Sequence, residues 1–158
     1  MPETALDTNV LLDVLLDDAT HAAQSARALE EAAREGPLVI GPATLAELAT
    51  VFARRSTDPA NSLQAFLAES GIRATPMKED DAVTAGTAYA AHLVKRARKS
   101  SCQTCAKTPM SCPSCGQSWR GRDRIATDFL ILAHARTAGR LLTRDKGLKM
   151  KGVQILRP

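Results

Sequence analysis

The stretch Ala5-Leu6-Asp7-Thr8-Asn9-Val10 decides how this chain is read. Two apolar residues run into Asp7, and an amphipathic run from Val10 to Leu16 follows Asn9. This is the pattern of a short buried strand that ends on a carboxylate, then a turn, then a helix. In an open α/β sheet, ligands sit in the crevice outside the carboxyl ends of the strands. An acid in that place is positioned to hold a metal. The same residues also suit a plainer role, because Asp and Asn are favoured helix caps.

Outward from this point the pattern repeats. Strands are expected at 3–7, 38–40, 72–75, 141–143 and 153–156, with helices at 9–17, 20–35, 43–55, 59–71, 78–98 and 123–138. Gly36-Pro37, Gly71 and Gly139 punctuate them. The second helix is expected to bury Ala23, Ala26, Leu29 and Ala33, and the fifth Ala82, Ala85, Tyr89 and Leu93. Helices alternating with short apolar strands imply an α/β fold with a parallel sheet. At 158 residues, without an internal repeat or second apolar core, the chain reads as one domain.

Composition narrows the function classes. Aromatics are only 3%, which argues against broad base-stacking platforms. No run approaches the ~18 apolar residues of a membrane span. The first residues lack the basic start and apolar centre of a secretory leader, so the expected location is cytoplasmic. The net charge of +4 is unevenly placed. Residues 95–124 carry eight Lys and Arg against Asp123 alone, a net of +7, while the remainder is −3. A local positive field suits a docked polyanion, and equally a solvated basic helix end.

Three further acids stand in informative places. Glu47 lies one position off the Leu45, Leu48, Phe52 stripe, at its edge with Thr44, where an ordinary surface glutamate would also sit. Asp128 is spaced three or four residues from Ile125, Ile131 and Leu132, so it points into an apolar helix face. A buried unpaired carboxylate costs several kcal/mol, so a cation is expected to face it. Asp145 follows the strand Leu141-Leu142-Thr143, and also reads as a turn aspartate before Lys146-Gly147. If the acids converge at one sheet edge, an all-oxygen ligand set selects magnesium or manganese. Such ions activate water and stabilise charge on a phosphoryl group.

With these motifs in place, Asp7-Thr8-Asn9, the Ala46-Glu47-Leu48 helix, Asp128-Phe-Leu-Ile-Leu-Ala-His-Ala135 and Leu141-Leu-Thr-Arg-Asp145 resemble the PIN-domain ribonucleases. The chain is most similar to the small VapC toxins of bacterial type II toxin–antitoxin pairs, in order and over essentially its whole length. The resemblance implies that Asp7, Glu47, Asp128 and Asp145 bind magnesium or manganese, with Asn9 and Thr143 as supporting polar groups. It implies an activated water that cleaves RNA, leaving 5′-phosphate and 3′-hydroxyl ends. It also implies a PIN-like three-layer fold with a mostly parallel central sheet wrapped by helices, an antitoxin partner covering the acids, and a homodimer.

One segment departs from that family pattern. Cys102-Gln-Thr-Cys105 and Cys112-Pro-Ser-Cys115 are two C-x-x-C pairs six residues apart. This is the spacing of a closed, tetrahedral structural zinc site. Disulfides, idle thiols or a redox pair are the other readings, and a cytoplasmic setting disfavours the first. The expected architecture is a single PIN domain over 1–158, interrupted by a zinc-ribbon-like knuckle at about 100–118. Zinc would fold a loop with almost no core of its own. It would also present Lys95, Arg96, Arg98, Lys99, Arg120, Arg122 and Arg124 as an RNA- or partner-docking surface. Trp119 either stacks on a base or packs on the knuckle. His21, His92 and His134 are assigned no catalytic role.

The function expected from all this is a metal-dependent endoribonuclease, as the toxin of a toxin–antitoxin pair. An RNA-processing or quality-control nuclease is the second reading. A non-catalytic RNA- or protein-binding module is the third.

Overall fold

A computed structural model describes residues 1–99 and 126–158. Its elements are β1 (Glu3–Leu6), α1 (Thr8–Leu15), α2 (Ala22–Glu35), β2 (Leu38–Ile40), α3 (Pro42–Ala53), α4 (Pro59–Glu69), β3 (Arg73–Ala74), α5 (Glu79–Lys99), α6 (Ala126–Ala138), β4 (Gly139–Leu142) and β5 (Gln154–Leu156). The five strands form one sheet in the order β3-β2-β1-β4-β5, and every pairing is parallel.

The pleat explains why the strands are apolar throughout. Leu6, Leu38, Ile40 and Leu142 face the side covered by α1 to α4, with Val10, Leu11, Leu48 and Leu63. Ala5, Val39 and Leu141 face the other side, against Ile131, Leu132, Ala135 and Ala138 of α6. Successive side chains leave a strand on opposite faces, so a sheet covered on both faces needs continuous apolar runs. Behind α6, Ala133 and Phe129 pack against Ala85 and Tyr89 of α5. The result is three layers, with helices on both sides of a parallel sheet.

Connectivity creates the functional edge. From β1 the chain moves outward through β2 to β3 over one face. It then crosses by α5 and α6 on the other face to β4, on the far side of β1. The direction of winding therefore reverses between β1 and β4. At such a switch point the crossovers part and leave a crevice beyond the strand ends. The residues that leave these two strands are Asp7 and Thr143.

Several expectations need correction. Asp7 is one residue beyond β1 rather than its last residue, and occupies the N-cap position of α1. Helix α1 ends at Leu15, and Asp17 takes φ 51 in the turn that follows. The buried side of α2 is Ser25, Ala28 and Ala32, with Leu29 at its margin, while Ala23 and Ala33 are exposed. The small, nearly uniform alanines of this helix carry little phase information. On α5 the buried positions are Asp81 and Ala85, whereas Ala82 and Leu93 are exposed. Asp81 is drawn inward by its partners on α6. Arg136 donates to it at 2.8 Å, and the Thr137 hydroxyl at 2.8 Å. Burial pushes the Asp81 carboxyl up, but these two donors and the Arg136 charge leave it below the usual carboxylate value. Ile72 is buried but precedes β3, and Val153 precedes β5.

Among the described residues no helix is long and apolar enough to cross a membrane. Lys95, Arg96, Arg98 and Lys99 fall on the last turns of α5. Cys102, Cys105, Cys112, Cys115, Trp119, Arg120, Arg122 and Arg124 lie outside the described residues.

Candidate active site

The crevice beyond β1 and β4 is a cavity of about 330 Å³ lined by Asp7, Thr8, Asn9, Glu47, Asp128 and Asp145, with Leu12, Thr50 and Val51 completing the wall. All four acids singled out in the sequence thus border one space. They reach it from four places: the end of β1, the middle of α3, the first turn of α6 and the loop after β4.

Asp7 is the best-buried of the four, 6% exposed. Although it sits at the N-cap position of α1, its side chain makes no capping hydrogen bond. Its Oδ2 instead accepts from the Thr143 hydroxyl at 2.5 Å and from Asn9 Nδ2 at 2.7 Å. Asn9 Nδ2 also approaches the Thr143 hydroxyl at 3.3 Å. The cap reading of Asp7 therefore fails, and its carboxylate is held by Asn9 on the first turn of α1 and by Thr143 just past β4. Burial pushes the Asp7 carboxyl above its usual value. The Thr143 hydroxyl and the nearby Asn9 main-chain N–H oppose this, while the negative charges of Glu47 and Asp128 add to it.

Glu47 is half-buried and accepts a hydrogen bond from the Thr8 hydroxyl. Thr8 was not singled out in the sequence. Its only signal there was a hydroxyl beside Asp7 in a run otherwise turning apolar. Asp128 is half-buried at the cavity margin rather than enclosed by the apolar face, which is formed by Phe129, Ile131 and Leu132. Asp145 is exposed, and its Oδ1 accepts from the Gly147 N–H at 2.7 Å. It is a turn aspartate and a cavity residue at once.

The loop from Thr143 to Leu148 is tied down strongly. The Asp145 N–H donates to the Thr143 hydroxyl at 3.0 Å, and the Arg144 N–H to Asn9 Oδ1 at 3.1 Å. Arg157 Nη1 donates to the carbonyls of Thr143 at 2.8 Å and Asp145 at 2.6 Å. The Arg144 guanidinium donates to Asp13 at 2.9 Å, and Asp13, 3% exposed, also accepts from the Ser25 hydroxyl at 2.7 Å. Sequence reading missed Arg157, Arg144 and Asp13 in this role. Each pairs with a residue more than ten positions away, and no local pattern marks such a contact.

The donor set is oxygen alone, and the charges of Glu47 and Asp128 raise the cost of that on Asp7. Both properties fit a divalent hard cation. Among the described residues no three His, Cys, Asp or Glu side chains close around a single point. Magnesium ordinarily keeps several waters and takes only one or two carboxylates, so an open arrangement suits it. His134 is remote from this chemistry. It is buried, 5% exposed, and its Nε2 is 2.8 Å from the Thr75 hydroxyl.

Comparison with known proteins agrees with this geometry. The family model of the PIN domain matches residues 4–153. Among solved structures, the chain is similar to VapBC2 from Rickettsia felis bound to a DNA fragment from its promoter. That alignment has 17% identity and TM-score 0.63, covering 98% of each chain. It is also similar to DNA-bound VapBC from Salmonella typhimurium, with 19% identity, TM-score 0.57, and 99% of this chain against 98% of that one. FitAcB from Neisseria gonorrhoeae has 19% identity and TM-score 0.55, over 96% and 95%. No curated protein sequence matches significantly. Identities this low speak for the fold, and the family model, spanning nearly the whole chain, decides the membership: this chain belongs to the PIN-domain family, whose members are nucleases.

Proposed function

We propose that the chain is a metal-dependent endoribonuclease acting as the toxin of a type II toxin–antitoxin pair. The observation that carries this reading is a buried carboxylate, Asp7, held at the sheet's switch point in a cavity it shares with three more acids. In this reading Asp7, Glu47, Asp128 and Asp145 hold magnesium or manganese. A bound ion of this kind supplies Lewis-acid stabilisation to a phosphodiester and lowers the pKa of water. Asn9 and Thr143 keep Asp7 in one orientation, and Thr8 does the same for Glu47. The Arg157 and Arg144 bonds keep Asp145 in register with the other three. The VapBC structures and FitAcB among the solved neighbours support an antitoxin partner. A homodimer in the cytoplasm is part of the same proposal.

The direct test is cleavage of a mixed RNA substrate by purified protein with manganese, beside Asp128→Asn. Cleavage by the parent and none by the variant is the expected outcome. Equal cleavage by both would sink the carboxylate assignment. No cleavage by a folded parent would favour a binding module.

The insertion belongs to this proposal as well. Four cysteines in two C-x-x-C pairs suit a structural zinc ion within a single PIN domain over 1–158. Elemental analysis of the purified chain should find about one zinc per chain, lost in Cys112→Ser. A zinc-free parent would leave the quartet as idle thiols, disulfides or a redox pair. The basic residues on either side of it, Lys95 to Lys99 and Arg120 to Arg124, would then lose their proposed RNA-docking frame.

A further inference from the structure

We propose that a second cavity, across the Asp145 loop from the acids, is an anion subsite that seats a backbone phosphate of the RNA next to the one being cut. The inference rests on the nuclease reading above. This cavity, about 320 Å³, is lined by His21, Gln24, Ser25, Arg144, Lys146 and Arg157, with Pro158 at its rim. Its side chains include three permanent cations and no carboxylate.

The two cavities share one short loop. Asp145 lines the acidic space, while its neighbours Arg144 and Lys146 line the basic one. The chain bends at Arg144 and turns at Lys146-Gly147, so three consecutive residues present an acid to one cavity and two cations to the other. A polyanion approaching four carboxylates is repelled. A positive wall one residue away offsets that repulsion and holds the chain across the loop.

The cations are also set in place differently. Arg157 spends its nitrogens on the neutral carbonyls of Thr143, Asp145 and Leu148, so it keeps its full charge while being fixed in position. Arg144 is fixed by Asp13, which offsets part of its charge. Asp18 stands nearby, and its carboxylate is held below the usual range mainly by the N–H groups of Thr20 and His21. Lys146 is exposed and takes part in no hydrogen bond or ion pair among the described residues. It is the cation left to meet a ligand. Ordering two of the three cations during folding reduces the entropy lost when a phosphate binds.

The test is fluorescence anisotropy of a labelled single-stranded RNA oligomer on the full chain with EDTA, over a salt series. Lys146→Gln should weaken binding several-fold at low salt and flatten the log–log salt slope by about 0.7, as for one phosphate contact on a single strand. Lys146→Glu should weaken it further. With manganese, both variants should raise KM more than they lower kcat. Unchanged affinity and slope in both, with the parent still cutting RNA, would overturn the subsite and leave the nuclease reading standing. Loss of affinity in both, with a parent that never cuts RNA, would keep the subsite and remove the nuclease. Displacement of the oligomer by inorganic phosphate at equal concentration would overturn the polynucleotide assignment in favour of a free-phosphate site.

Discussion

Asp7→Asn is expected to lower manganese-dependent RNA cleavage by about a thousandfold or more, and at the same time to raise the melting temperature of the metal-free protein. The first effect follows if Asp7 anchors the ion. Losing several kcal/mol of charge stabilisation at the reacting phosphate is worth roughly a factor of ten for each 1.36 kcal/mol. The second follows from burial. Asp7 is 6% exposed, with Glu47 and Asp128 adding like charge, and its carboxyl lies above the usual value in the fold. The unfolded chain therefore releases this proton more readily than the folded one. Folding stability accordingly falls as pH rises from the ordinary carboxylate value of 3.8 through the raised one, and the cost is fully present above the raised value. The amide keeps an oxygen for Thr143 and Asn9 while removing the charge. Thermal melts with and without manganese decide the matter. The parent should gain stability from the ion and the variant should not. A variant that cuts RNA like the parent, or melts lower without metal, would refute the assignment of Asp7.

Gly41→Ala is expected to cost about 1–3 kcal/mol, as overpacking in a well-filled interior does. The melting temperature should drop by roughly 2–12 °C for a chain of this size. The backbone at Gly41 is ordinary, φ −88 and ψ 174, so the effect is steric. A β-carbon there would lie 2.7 Å from Cγ, 2.9 Å from Nδ1 and 3.0 Å from Cδ2 of His134. The ring has little freedom to retreat, because it is buried and its Nε2 is paired with Thr75. Burial lowers the His134 pKa, with Asp81 and Glu3 opposing, so the fold favours the neutral ring. Stability consequently falls as pH drops from the ordinary imidazole value of 6.5 toward the lowered one. His134→Ala removes the obstacle, so the double variant should lose clearly less than the two single losses combined. A Gly41→Ala protein that melts like the parent would show that the ring can move.

The acids were legible in the sequence because each sits at a place with its own local mark. Asp7 and Asp145 follow apolar strand runs, and Asp128 interrupts an apolar helix stripe. Glu47 carried the weakest mark, since a glutamate at a stripe's edge is usually solvated. Its bond from Thr8 is the kind of contact that only packing of α1 on α3 creates. The faces of α2 and α5 were misread for a related reason. Alanine-rich helices have little side-chain contrast, so the neighbours decide which side is inside. Asp81 is buried because Arg136 and Thr137 stand opposite it, 55 and 56 residues away.

By itself the sequence determined the alternation of strands and helices, the apolar strand cores and the four acids, all of which are short-range patterns of residue type. Tertiary structure alone decided that the winding reverses between β1 and β4, which brings those acids to one crevice. It also decided that Asp13, Arg144 and Arg157 clamp the Asp145 loop, and that a basic cavity lies behind it. The physical reason is distance along the chain. Periodicity reports how a residue relates to its near neighbours, whereas charge pairing and strand order depend on groups up to 136 residues apart, as with Asp7 and Thr143.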